Sequence, residues 1–219
     1  MGMSDMVRVY ADKEIVVGYD SRRCIHTAEC TRGLPAVFDN ACRPWIMPSG
    51  ASADEIAAVI AKCPSGALHF TQLNGAAAEA SPENNTIEPT PRGPLCVRGR
   101  VLLRSANGSL IVRDTRLTLC RCGQSHNKPF CDNSHFAAGF DDPGVVADGG
   151  EPPATDDGLS ITASLNGPLL AEGAFLLRGA GGHGQYQATD GELCRCGGSG
   201  NKPFCDGTHQ RIGFRSEES

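Results

Sequence analysis

The sequence predicts an α+β protein, with an N-terminal domain of strands and one helix followed by two small β-rich repeats that dock into one pseudo-symmetric unit. Three observations lead there. Residues 93–140 match 167–214 at a constant offset of 74, without a gap. Within each copy, short apolar stretches are separated by glycine turns. Ahead of them, one amphipathic helix lies between apolar stretches of strand character.

The repeat is carried by named residues. Gly93-Pro94-Leu95 answers Gly167-Pro168-Leu169, and Leu102-Leu103-Arg104 answers Leu176-Leu177-Arg178. Cys120-Arg121-Cys122-Gly123 answers Cys194-Arg195-Cys196-Gly197, and Asn127 to Asp132 answers Asn201 to Asp206 without a change. His135 and Gly139-Phe140 answer His209 and Gly213-Phe214. Identity is concentrated on the Cys/His stretch, as for a retained site on a drifting scaffold. Val101–Leu103 with Leu110–Val112, and Phe175–Leu177 with Gln185–Gln187, read as strands joined through Gly108 and Gly181-Gly182.

In the N-terminal part, Val7–Tyr10, Glu14–Tyr19 and Ala67–Phe70 read as strands. Ser52-Ala53-Asp54-Glu55 is a capping box, which starts a helix. Ile56, Val59, Ile60 and Cys63 follow at i, i+3, i+4 and i+7, which puts Cys63 on its buried face. Trp45, beside Pro44, is expected to pack the core. The organisation read from these elements is a domain at 1–71, a linker at 72–91, a repeat at 92–140, a linker at 141–163 and a repeat at 164–215.

Composition narrows the chemistry. The 219 residues include 27 glycines and 14 prolines, and only 5% are aromatic, so the cores are thin and need a staple. Eleven cysteines are available. Met1–Tyr10 lacks the features of a secretory signal, the myristoylation pattern fails at Met6, and no apolar run approaches the ~18 residues of a membrane span. The expectation is a cytoplasmic protein with reduced thiols, so clustered cysteines read as metal ligands. A net charge of −5 gives no basic footprint for nucleic acid.

Each repeat carries Cys-x-Cys-x8-Cys-x3-His. Cys131 and His135, like Cys205 and His209, are four apart, so on a helical turn they leave one face and can share a metal ion. Asp132 and Asp206 suit an N-cap there. Cys120 with Cys122, and Cys194 with Cys196, can bind a second ion if the strand curls at the following glycine. Pro129 and Pro203 stiffen the intervening loop. Ser125 and Ser199 offer hydroxyl donors to cluster sulfurs. Lys128 and Lys202 read either as electrostatic tuning and partner docking or as solvent-facing charge. His126, replaced by Gly200 in the second copy, reads as a loop residue. From spacing alone the set suits structural zinc as well as an iron–sulfur cluster.

Cys131-Asp132-Asn133-Ser134-His135 and Cys205-Asp206-Gly207-Thr208-His209, with the upstream Cys-x-Cys and Lys-Pro-Phe, closely resemble the CDGSH iron–sulfur domain family. The resemblance covers roughly residues 90–140 and 164–215. It implies one 2Fe–2S cluster per repeat, with Cys120, Cys122, Cys131 and His135 as ligands of one and Cys194, Cys196, Cys205 and His209 as ligands of the other. Two cysteines would hold one iron, and a cysteine and the histidine the second. It also implies a β cap and a dimer-like arrangement, here formed within one chain. Asn133 departs from the family's glycine, but asparagine tolerates a left-handed backbone.

Cys24-x5-Cys30, with Cys63-Pro64 far downstream, resembles divergent single-cluster ferredoxins over about residues 7–70. Thr27 stands where the four-cysteine pattern has a ligand. Three cysteines suit a 3Fe–4S cluster, and a 4Fe–4S cluster would need a foreign donor. His26 is the nearest, and reads as an ordinary loop histidine. Cys42 and Cys96 stand outside these sets, Cys96 as a small buried hydrophobe and Cys42 in a loop.

A histidine ligand carries less negative charge than a thiolate, so it raises the potential of its cluster and makes potential and cluster lifetime depend on pH. The expected function is electron transfer or redox relay, with an unidentified redox partner. The alternative is storage or transfer of clusters to an apo acceptor, or sensing of redox state or pH. No nucleophile–base pair or phosphate-binding loop points to an enzyme, and neither membrane nor nucleic acid is an expected partner. The chain is expected to act as a monomer.

Overall fold

A computed structural model describes residues 7–73, 79–151 and 158–216. The readings on Met1 to Met6 and on parts of both linkers fall outside them. The chain divides into two compact units, Met1–Ala80 and Ser81–Ser219.

In the first unit, β1 (Val7–Ala11), β2 (Ile15–Asp20) and β3 (Leu68–Gln72) form an antiparallel sheet in that order. Alternation along β2 puts Ile15 and Val17 at 0% exposure. Against them packs α2 (Ala53–Ile60), through Ile56, Val59 and Ile60. Its capping box is closed, with the Ser52 backbone N–H donating to Glu55 Oε2 at 3.0 Å and the Glu55 N–H to Ser52 Oγ at 3.4 Å. Trp45 packs edge-on to Tyr19, with ring centroids 4.8 Å apart. A short helix, α1 (Glu29–Gly33), precedes α2 and has no periodic signal in the sequence. Cys63 is not on the helix. α2 stops at Ile60, and the Cys63 N–H donates to the Ile60 carbonyl from the turn beyond.

The second unit is one seven-stranded sheet built from both repeats. It runs β4 (Thr86–Pro89), β5 (Leu95–Arg104), β8 (Leu159–Ala163), β9 (Leu169–Arg178), β10 (Gln185–Leu193) and β7 (Gly149–Gly150), with β6 (Leu110–Leu119) on β5. β4 and β8 arise inside the two segments read as linkers. They obey the same offset of 74, since Ile87 corresponds to Ile161. Each is shared between the copies. β4 pairs antiparallel with β5 of its own repeat and parallel with β9 of the other, and β8 pairs antiparallel with β9 and parallel with β5. The repeats are therefore interlocked by reciprocal strands.

Ile87 pairs across to Leu177 and Ile161 to Leu103, and all four side chains are at 0% exposure in the shared core. Cutting either isoleucine to alanine is expected to cost about 2–5 kcal/mol. Because one sheet holds both repeats, I87A and I161A should each lower a single common unfolding transition of this unit in a denaturant titration. A separate, unshifted transition for the unmutated repeat would show that the copies fold independently.

Candidate metal centres

β6 delivers the first site. Beyond its last residue, the Cys120 N–H donates to the Pro129 carbonyl at 2.8 Å and the Cys131 N–H to the Thr118 carbonyl at 2.9 Å. The loop 120–131 is thus folded back onto the end of its strand, which brings Cys131 beside Cys120 and Cys122. β10 does the same for Cys194 and Cys205, through Pro203 and Glu192. The Lys128–Pro129 and Lys202–Pro203 peptide bonds are cis in both copies.

The donors stand in pairs. Cys120 and Cys122 sulfurs are 3.8 Å apart, and Cys131 Sγ is 3.5 Å from His135 Nδ1. In the second copy the distances are 3.7 Å for Cys194 and Cys196, and 3.3 Å for Cys205 and His209. Two ligands on one tetrahedral ion, with metal–sulfur bonds of about 2.3 Å and metal–nitrogen bonds of about 2.0 Å, stand roughly 3.5–3.8 Å apart. Each pair is therefore set for one ion. Among the described residues no three His, Cys, Asp or Glu side chains gather around one ion-sized point. Each repeat instead offers a two-cysteine half and a cysteine–histidine half, a donor set suited to two irons bridged by sulfide.

Burial pushes the Cys131 thiol up to about 12 and the Cys196 thiol up to about 11. Without metal these thiols keep their protons, so ligation must release them. Burial lowers the His135 pKa, which favours the neutral imidazole that a metal needs.

His135 sits in α3 (Ser134–Ala137) and His209 in α4 (Thr208–Arg211). Asn133 has φ 72° and Gly207 φ 79°, so asparagine takes the glycine's left-handed backbone. Asp132 lies one residue before the cap and binds both ends of the ligand loop, accepting from Ser134 N at 3.0 Å and His126 N at 2.8 Å. Burial opposes its charge, but the hydrogen bonds from Ser134 and His126 win and hold its carboxyl down at about 2. Asp206 accepts from Thr208 and Gly200 in the same way.

The structure changes the reading of the serines. Ser125 Oγ donates to the Phe130 carbonyl at 2.7 Å and accepts from Asn127 N, and Ser199 repeats this with Phe204 and Asn201. Their only hydroxyl protons are spent inside the loop, so they do not donate to sulfur. Backbone amides do so instead. Gln124 N and Asn133 N point at Cys122 and Cys131 sulfurs at 3.5 and 3.4 Å, and Gly198 N and Gly207 N at Cys196 and Cys205 at 3.4 and 3.5 Å. Lys128 and Lys202 brace the loop, each placing its ammonium 2.6 Å from the carbonyl of Ser125 or Ser199. His126 is exposed in the loop.

Sequence reading missed Arg121 and Arg195, the middle residues of each Cys-x-Cys, whose identity in both copies was the available signal. Arg121 is 1% exposed, donates to the carbonyls of Gly93 and Thr90 at 2.9 and 2.6 Å, and pairs with Asp142. It also missed the contact between sites. Cys122 and Cys196 form an antiparallel backbone bridge, a direct covalent-and-hydrogen-bonded route from one ligand set to the other.

In the first unit, Cys24, Cys30 and Cys63 line one cavity of about 730 Å³, together with His26, Thr27, Tyr19 and Trp45. Cys24 lies in the turn after β2, Cys30 in α1 and Cys63 beyond α2. Burial raises the Cys30 thiol, and the nearby Cys63 and Cys24 raise it further. Three thiolates facing one cavity suit a cluster of three or four irons. His26 Nδ1 is 3.9 Å from Cys24 Sγ. His26 is an exposed loop residue, as the sequence reading had it, and it borders the same cavity as the cysteines. Cys42 lies apart and donates to Asp39 at 3.1 Å. Cys96 is half-buried on β5, and burial pushes its thiol up to about 11.

Comparison with known proteins agrees with this division. A family model described as a divergent 4Fe-4S mono-cluster matches residues 10–73. A second, described as an iron-binding zinc finger of CDGSH type, matches residues 92–136 and 166–210. The uncharacterized protein YjdI of Escherichia coli, in strains K12 and O157:H7, is 36% identical over 63 residues, which are 29% of this chain and 83% of the relative.

Proposed function

The chain belongs to the iron–sulfur proteins, with a divergent 4Fe-4S mono-cluster domain ahead of two CDGSH domains, and on that premise we propose that it is an electron carrier holding two 2Fe–2S clusters and a third, N-terminal cluster. Bound clusters supply one-electron chemistry. The chain's own residues do the rest. Cys120 and Cys122 hold one iron of the first cluster, and Cys131 and His135 the other. Cys194, Cys196, Cys205 and His209 do the same in the second. Cys24, Cys30 and Cys63 provide three thiolates for the third, enough for 3Fe–4S alone and for 4Fe–4S with one more donor. The observation that carries the reading is the backbone bridge between Cys122 and Cys196, which supports passage of electrons between the two ligand sets. The chain acts as a carrier rather than an enzyme, as a monomer, and its partner is a redox protein. No helix among the described residues is long and apolar enough to cross a membrane. A reducing compartment such as the cytoplasm would keep the ligand thiols free.

A second reading, cluster donation or sensing, draws on an asymmetry. Cys131 and His135 are buried, whereas Cys205 and His209 are half-exposed. Water and acceptor thiols can reach the second cysteine–histidine half more readily. Potentiometry and transfer assays separate the readings. Reversible reduction of all clusters with iron retained supports the carrier. Loss of iron to an apo acceptor on the same timescale, first from the second site, supports donation.

Each histidine sets the charge of its own site. H135C and H209C add a thiolate, and each should lower the midpoint potential of its own cluster by on the order of 100 mV. Potentiometry that finds both potentials unmoved would remove these histidines from the ligand sets.

A further inference from the structure

We propose that His26 is the fourth protein ligand of the N-terminal cluster, completing a three-cysteine, one-histidine set and making the cluster 4Fe–4S. The inference rests on the reading of that cavity as a cluster site.

The cavity offers few other donors. Besides the three cysteines and His26, its wall carries Tyr10, Tyr19, Ser21, Thr27, Glu29, Thr31, Asn40 and Ser65 as side chains with oxygen. An alcohol is a poor iron ligand unless it loses its proton, and Ser65 Oγ, 3.7 Å from Cys63 Sγ, already accepts from the Ala67 N–H. The Tyr19 ring packs edge-on to Trp45, with centroids 4.8 Å apart. Glu29 is engaged with Arg32, at 3.1 Å on the exposed side of α1. Imidazole is a good iron ligand without any such help.

Backbone geometry places His26, an exposed loop residue, on the rim of the cavity. His26 has φ 54° and Ala28 φ 62°, left-handed conformations at two residues that are not glycine. Each costs about 1–2 kcal/mol. Together they coil 24–30 so that Cys24, His26 and Cys30 line the same cavity. The contact of 3.9 Å between His26 Nδ1 and Cys24 Sγ exceeds the length of a strong hydrogen bond, so it does not tie the imidazole up. Arg8 and Arg43 on the same wall place positive charge around the site, as an anionic cluster requires.

The test uses the full chain, loaded and oxidised under anaerobic conditions, with iron counts and electron paramagnetic resonance. Oxidised 2Fe–2S and 4Fe–4S clusters are silent, whereas an oxidised 3Fe–4S cluster gives one spin. The wild type should hold about eight irons and be silent, and H26A about seven with about one spin per chain. H26C should restore eight and silence, which separates loss of a ligand from loss of the fold. H26A with about four irons supports the proposal when H26C still holds eight. Wild type and H26A alike at seven irons with one spin, or alike at eight and silent, would overturn His26 ligation yet leave the N-terminal cluster standing. A wild type with only about four irons would overturn the cluster reading itself.

Discussion

Replacing Gly123 with alanine should empty both C-terminal metal sites, although the substitution lies in only one of them. Gly123 has φ 80°, and a Cβ there would sit 2.5 Å from the Cys196 carbonyl oxygen. Gly197 has φ 81°, and its Cβ would meet the Cys122 carbonyl at 2.6 Å. Both contacts are with backbone, so no side chain can swing aside. The left-handed conformation alone costs about 1–2 kcal/mol for alanine. The clash adds the loss of the Cys122–Cys196 bridge and moves a ligand of the opposite repeat. G123A and G197A should each lose about four irons and lower the unfolding midpoint. Gly139 provides the control, since it has φ 60° with nothing within 4 Å of its Cβ. G139A should pay the conformational cost and keep its metal. Full iron in G123A, or the same stability as G139A, would refute the interlock.

Replacement of Arg121 by methionine should destabilise the second unit by about 2–4 kcal/mol, because it removes a buried guanidinium that donates to the buried Gly93 carbonyl, to the half-buried Thr90 carbonyl and to the half-buried Asp142 carboxylate. The guanidinium side chain has 0% exposure and meets Gly93, Thr90 and Asp142 at once, with Phe140 stacked 5.0 Å from its central carbon. A fall in Tm on the order of 10 °C follows. Lysine should not rescue, since one ammonium cannot span three acceptors. The second copy gives an internal comparison. Arg195 meets the carbonyls of Gly167 and Ser164, and Ser216 Oγ at 3.1 Å, so a hydroxyl stands where Asp142 stands in the first copy. R195M breaks no ion pair and should cost less. Equal losses in R121M and R195M would assign the effect to packing instead of charge.

The ligands of the C-terminal sites could be read from the sequence because they are local. Two cysteines two apart and a Cys/His pair four apart come together as soon as strand and helical turn form. The α2 capping box and the alternation in β2 are local in the same sense. The reciprocal strands β4 and β8 were not legible. They are short, they lie where the copies have diverged, and each is fixed by pairing with the other repeat. The serine hydroxyls were misassigned because their partner, a carbonyl five residues on, is available only after the loop folds back. Cys63 was placed one turn too early on α2 because apolar periodicity continues past the residue where the helix stops. The place of His26 on the cavity rim depends on left-handed backbone at His26 and Ala28, which no residue preference announces.

The central claim is that these sites hold iron and sulfide. The most direct measurement is the iron, acid-labile sulfide and zinc content of the anaerobically purified chain, taken with its visible spectrum. The expected result is strong visible absorption, at least about four irons and four sulfides from the C-terminal sites with more from the N-terminal one, and no stoichiometric zinc. A colourless protein with about one zinc for each repeat and no sulfide would contradict it.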